Sequence, residues 1–272
     1  MIFVWTVAIR KSKGKRHLII PDLQLRKGVK TSHFTDWLPR FIKQHHKSYP
    51  FDAIIQLGDA YDFPSLSSYD ERGRRPSKVE GKRLKDDFEF PSAAIAEFCQ
   101  AIEDIDCRKV FLEGNHENRL NRYVEEDVRL DGMFDQWGWE FEYWDWECHP
   151  FLKPVVVDGI VYAHYFPLNA RGEAGGGVTA KNGCPSAEAQ VKRVGRSCVA
   201  GHSQGFQYSE IGNITGRMKM GIIAGSFYQH SESYRGPMGK NEWRGVVVLN
   251  DIHGGFGDIM KISLDYLGRK YG

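Results

Sequence analysis

Aspartate, histidine, asparagine and glutamine recur in this chain just after short apolar runs, and these residue types hold divalent cations. The five places are Asp22-Leu23-Gln24, Gly58-Asp59-Ala60-Tyr61-Asp62, Gly114-Asn115-His116-Glu117, Ala163-His164-Tyr165 and Gly201-His202-Ser203-Gln204. Each alone is weak, because an Asp after a strand is ordinarily a turn residue and a lone buried His ordinarily a satisfied core residue. The ordered set carries the information. Oxygen ligands suit hard cations and imidazole suits borderline ones, so the set as a whole reads as a metal site.

Such residues act together only if strands deliver them to one edge. In open α/β sheets, ligands bind outside the carboxyl ends of the strands. Buried strands are expected at 17–22, 53–57, 110–112 and 197–202, each ending in one of the five segments. Between them the pattern predicts helices at 31–46 (capped by Asp36, with Trp37, Leu38, Phe41 and Ile42 inward), 92–105 (capped by Ser92) and 118–127. Residues 64–90 read as a polar, basic insertion without periodicity. The second half is richer in strand: Asp158-Gly159 between apolar runs marks a hairpin over 155–162. A helix over 186–194 and strands near 207–215, 219–224, 244–250 and 256–264 follow. Helix–strand alternation early and hairpins late predict an α/β fold of layered sheets with outer helices, built as a single domain over 1–272.

Bulk properties narrow the class. With 272 residues, 41% hydrophobic and 26% charged, the chain reads as a soluble globular protein. A net charge of +2 excludes a general nucleic-acid coat, so any basic surface must be local. Five cysteines without a CxxC pair argue against a disulfide framework or a thiolate zinc site. The apolar start, residues 1–9, is too short to span a bilayer and has its positive charges on the wrong side for a signal peptide. A cytoplasmic location without membrane association is expected.

The ordered segments resemble the calcineurin-like metallophosphoesterase superfamily, whose pattern is Asp-x-His, Gly-Asp-x-x-Asp, Gly-Asn-His-Glu/Asp, a lone His and Gly-His-x-His. Gly-Asp-x-x-Asp and Gly-Asn-His-Glu match intact and in order, and the set spans Asp22 to Gln204. The resemblance implies a four-layer α/β/β/α sandwich carrying two divalent metals at the strand ends. It implies Asp59 as the bridge, with Asn115, His164 and His202 completing the second metal. Asp22, with the positions held by Gln24 and Gln204, belongs to the first. His116 meets the substrate oxygen with Asn115 and protonates the leaving group, and Glu117 braces its turn. Physical chemistry supports this division: paired cations clamp a phosphate and acidify water into a hydroxide nucleophile, and an imidazole titrates near neutrality.

The chain departs from the pattern twice, and both times the same way. Gln24 and Gln204 stand where the family has His, and both fall on the first metal. An oxygen-rich first site beside an imidazole-rich second predicts an asymmetric pair, the first weaker. Mn²⁺ is the favoured ion, with Mg²⁺, Ni²⁺, Fe²⁺ and Zn²⁺ as alternatives. The other reading is a one-metal enzyme in which both glutamines donate NH₂ to phosphate or water.

Residues 72–85 carry seven positive charges and one negative, a concentration that suits attraction to phosphates as well as it suits a solvated loop. Arg119 is placed either to reach a substrate phosphate or to brace Asp62. The Trp-rich stretch 137–148 alternates as a strand with one covered face does, which favours packing over base stacking. The Gly-rich run 172–177 lacks the context of a phosphate loop and reads as a flap. The expected activity is phosphodiester hydrolysis of nucleic acid or a nucleotide. A phosphomonoesterase, or a catalytically silent metal- or nucleic-acid-binding relative, is the alternative. No pattern here fixes the oligomeric state.

Overall fold

Three of the five apolar runs that end in candidate ligands become central strands of one sheet buried on both faces, and the other two join a second sheet. In β1 (Lys15–Ile20), every residue after Lys15 is buried, and β2 (Ala53–Gln56) is buried throughout. That continuous burial is the mark of parallel strands covered on both sides. A computed structural model describes residues 13–67, 81–134, 138–166, 186–212, 214, 216–231 and 242–272. With β3 (Arg108–Leu112), β4 (Glu147–His149), β10 (Gly245–His253) and β11 (Phe256–Ser263), these strands make a six-stranded mixed sheet ordered β11-β10-β1-β2-β3-β4. β1 through β4 are parallel neighbours, whereas β10 and β11 run antiparallel at one edge.

A second mixed sheet is ordered β5-β6-β7-β9-β8 from β5 (Val155–Val157), β6 (Ile160–Ala163), β7 (Cys198–Ala200), β8 (Phe206–Gly212) and β9 (Met218–Ala224). The expected 155–162 hairpin is present, with Asp158 and Gly159 both at positive φ in its turn. Three apolar clusters bind the elements. One draws Ile19, Ile55 and Val247 from the first sheet against Tyr162, Val199 and Ile222 from the second. Another lies between the six-stranded sheet and α1 (Leu38–Ser48), α2 (Leu84–Ala101) and α6 (Leu264–Tyr271). The third sets α5 (Ala187–Val194) against β6 and β7. The chain is thus an α/β protein with two mixed sheets and, among the described residues, six α-helices.

Four local expectations need correction. α2 begins at Leu84, well before Ser92, and carries Pro91 inside it. The helix tolerates that missing N–H because Phe88, Pro91, Ile95 and Phe98 are buried along it, so packing outweighs the proline. Ser92 is therefore mid-helix, its Oγ 3.2 Å from the Tyr61 hydroxyl. The 64–90 stretch is not featureless either: a 3₁₀ turn, Pro64–Leu66, opens it and α2 closes it, while residues 68–80 lie outside the described residues. Asp36 does not cap a helix. It sits within a π-turn, His33–Trp37, that runs into α1, and pairs with Arg40 at 2.7 Å. The Trp-rich stretch folds as a one-turn helix α4 (Glu140–Tyr143) and then β4, with Phe141 and Trp146 buried and Trp139 against the same cluster. Its aromatics serve the core, as expected, but not as one strand. The 172–177 run lies outside the described residues.

No helix among the described residues is long and apolar enough to cross a membrane. Phe98 is fully buried and stacks on Phe34 at 4.3 Å, fastening α2 to the π-turn. Phe98→Ala is expected to cost about 3–5 kcal/mol of folding stability, read from urea unfolding midpoints.

Candidate metal centre

Two turns form the floor of the site, and one carboxylate staples them. The Glu117 side chain accepts from the Asp59 N–H at 2.9 Å, the Tyr61 N–H at 2.9 Å and the Gly114 N–H at 2.7 Å. Close approach requires glycine: a Cβ on Gly114 would stand 2.2 Å from Asp59 Oδ1, and one on Gly58 2.7 Å from the Gly114 nitrogen. Asp59 itself takes φ 51°, and Gln24, His202 and Gln204 are also left-handed, at 46°, 65° and 58°. Such strain gathers where a surrounding structure over-determines the side chains.

Onto this floor the second sheet lowers two imidazoles. His164 follows β6, and its Nδ1 donates to the Leu57 carbonyl at 2.8 Å, which turns Nε2 toward Asp59 Oδ1 (3.3 Å) and Asn115 Oδ1 (2.9 Å). His202 follows β7, with Nδ1 2.7 Å from the same Asn115 oxygen. Ligand atoms of Asp59, His164 and His202 all lie within 4.8 Å of one another, so these residues could hold a metal ion. The outer hydrogen bond on His164 is the arrangement by which metal-binding histidines are oriented. Asn115 adds a neutral oxygen at the centre of the group.

The remaining candidates divide around it. Asp22 is fully buried; Oδ1 accepts from the His202 N–H at 3.0 Å, and Oδ2 meets no hydrogen-bond donor among the described residues. A buried, half-satisfied carboxylate beside Asp59 is costly unless a proton or a cation neutralises it. Gln24 is buried and its N–H donates to the Asp59 carbonyl at 2.8 Å. Gln204 is buried with Oε1 accepting from the Tyr228 hydroxyl at 2.8 Å. His116 meets the same Asp59 carboxylate: its N–H donates to Asp59 Oδ1 at 3.0 Å and Nδ1 is 2.9 Å from Asp62 Oδ1. Arg119, on α3 (Asn118–Glu126), braces the backbone by donating to the Asp62 and Phe63 carbonyls, at 2.6 and 3.2 Å. Its second nitrogen reaches His116 Nε2 at 3.0 Å.

Sequence reading missed three neighbours. Arg26 donates to Asp62 Oδ2 at 2.6 Å, Tyr228 holds Gln204, and Tyr165 packs its ring 5.0 Å from His202. Arg26 had a signal as a charged residue four positions past Asp22 in the same strand-end loop, and Tyr165 as the residue next to His164, whereas Tyr228 had none. No protein-family model matches the chain, and no curated protein matches it either.

Electrostatics follow from burial. Burial pushes the Asp22 carboxyl up to about 7, with the Asp59 charge adding to the rise, and the same two causes push Glu117 up to about 7. Burial lowers His164 on its own, but Asp59, Asp22 and Glu117 outweigh it and raise the imidazole to about 9. Burial, with His164 beside it, brings His202 down to about 4. Burial opposes ionisation of Asp59, yet His116 and His164 hold it well below the usual carboxylate range.

The raised groups favour a protonated folded state. Their contribution is whole below the ordinary pKa and is lost as pH rises through about 7 for Asp22 and Glu117, and about 9 for His164. Without a cation, stability should therefore fall from pH 6.5 to about 9. A divalent cation replaces those protons, so its stabilisation should grow across the same interval. The Tm difference between Mn²⁺ and EDTA samples is expected to widen with pH; a constant difference would contradict this account. Separately, Glu117→Ala leaves three buried N–H groups without their acceptor and should cost at least about 3 kcal/mol. Urea unfolding of the EDTA-treated variant checks it apart from metal loss.

Proposed function

We propose that this chain is a divalent-metal-dependent phosphoesterase of the calcineurin-like metallophosphoesterase type, with the four-layer α/β/β/α arrangement of that superfamily, acting on phosphodiesters of nucleic acid or a nucleotide. One observation carries the reading. Four strand ends from two sheets bring Asp59, Asn115, His164 and His202 together, with His116 bonded through its N–H to the same Asp59 carboxylate. The second metal is assigned to those four residues, and the first, weaker one to Asp22, Gln24, Gln204 and Asp59, with Mn²⁺ favoured. Bound there, divalent cations supply Lewis acidity to a phosphoryl oxygen and acidify water.

The chain's own groups supply orientation and the proton. Asp62 holds His116 by Nδ1, so Nε2 is the ring atom turned toward Asp59, 3.7 Å from Oδ2. Burial lowers the His116 imidazole, and Arg119 works the same way, but Asp59 and Asp62 outweigh them and raise it, the direction that favours a proton donor. As water oxygen bonds to phosphorus and the ester P–O bond breaks, the departing oxygen takes its proton from Nε2. Arg119, anchored by two carbonyls, offers a fixed cation beside that nitrogen for a phosphate oxygen.

The test is a paired assay with nitrophenyl phosphodiester and phosphomonoester in Mn²⁺. Diester should be the better substrate. His116→Ala should lower diester kcat by about 10²–10⁴-fold with metal content retained. Metal uptake with no hydrolysis of either ester would favour the silent binding relative instead.

A further inference from the structure

Asp62 is a short side chain asked to orient an imidazole, and a carboxylate held at one oxygen can rotate away. Its second oxygen is held too: Arg26 Nη1 lies 2.6 Å from Oδ2 while His116 Nδ1 lies 2.9 Å from Oδ1. Asp62 and His116 are buried, and Arg26 keeps 23% of its side chain exposed, reaching inward from the edge. The backbone fixes this approach. The Asp62 N–H donates to the Leu25 carbonyl at 3.1 Å, and Leu25 bridges Tyr61, so the loop after β1 runs beside the loop after β2 with Arg26 next to Asp62.

We propose that Arg26 is a positioning residue, which clamps Asp62 so that the His116 ring is held in one orientation with Nε2 toward the reacting phosphate. This rests on the proposed phosphoesterase reading. Arg26 touches no substrate in this role and acts through Asp62. A carboxylate hydrogen-bonded by Arg26 at one oxygen and 2.9 Å from the His116 ring at the other loses the freedom to rotate away, so the ring keeps one orientation. Charge matters as well as geometry, since Arg26 offsets the Asp62 charge that would otherwise be buried against Asp59.

The experiment joins a ring readout to kinetics. Long-range ¹H–¹⁵N spectra of the metal-free protein, with His116 assigned by loss of its signal in His116→Gln, read which ring nitrogens carry protons and how uniformly. Arg26→Met, and Arg26→Gln as a smaller disturbance of the fold, should replace a single His116 ring environment with exchange-broadened signals. Both should lower diester kcat about 10- to 100-fold with KM little changed, and Arg26→Lys should recover most of the loss. A wild-type ring spectrum in a folded variant, or a loss confined to KM, would overturn the proposal, the latter by making Arg26 a substrate contact. A wild type that hydrolyses no phosphoester would remove the phosphoesterase reading alone, because the ring spectra decide the clamp without turnover.

Discussion

Four carboxylates crowded out of water set the terms for this fold. Asp22, Asp59, Asp62 and Glu117 are all buried within a few residues of one another's turns. Two like charges about 5 Å apart repel by roughly 3 kcal/mol at an effective dielectric of 20, so four cannot stand ionised without compensation. The compensation comes in different forms at different places. Glu117 is surrounded by backbone N–H groups, Asp62 by Arg26 and His116, and Asp59 by imidazoles. Asp22 has the least, with one oxygen met only by a backbone N–H and the other by no donor among the described residues. The shortfall is concentrated where a cation would relieve it most.

That crowd is also the seam between the sheets. Asp22, Asp59 and Asn115 come from the six-stranded sheet, and His164 and His202 come from the five-stranded one. His164 bonds the Leu57 carbonyl, His202 bonds Asp22, and the Phe227 N–H donates to the Asp22 carbonyl at 2.8 Å. Each of these contacts crosses from one sheet to the other. A Cβ on Gly201 would stand 2.6 Å from Asp22 Oδ1, so even the spacing between the sheets' loops is set for this contact. Cation binding and the alignment of the two sheets are therefore coupled, and the apolar cluster between them supplies the stiffness that keeps ligand atoms in register.

How much of this could be read in advance follows from the range of each interaction. Residues such as Asp59, Asn115 and His164 announced themselves because each ends an apolar run, a signal contained within a few positions of sequence. The hairpin turn at Asp158-Gly159 was legible for the same reason. Arg26 and Asp62 are 36 positions apart, and their meeting depends on two loops running side by side, which no local pattern records. Tyr228 on Gln204 is similar, with a partner 24 positions away across β8 and β9. The early start of α2 was hidden by Pro91, whose local cost is real and is overridden by burial of Phe88 and Phe98. The Trp-rich stretch misled through period: its alternation fits a strand, yet Phe141 and Trp146 reach the core from a helical turn and the segment after it.

The two glutamines take on a sharper meaning against this geometry. With Oε1 of Gln204 accepting from Tyr228, its carbonyl oxygen already has a donor, and a cation there would share an oxygen whose lone pairs are partly committed. The ring nitrogens of His164 and His202 that face Asn115 make their contacts within the group, to the Asn115 oxygen and, for His164, to Asp59 Oδ1. Under the proposed two-metal reading, the two halves would differ in ligand strength through their hydrogen bonds as well as through residue type. The Asp59, His164 and His202 group could hold a metal ion, while the Asp62–His116 side keeps its geometry without help from one. A clamp of arginine on carboxylate on imidazole provides that independence, because every bond in it is made by the chain itself.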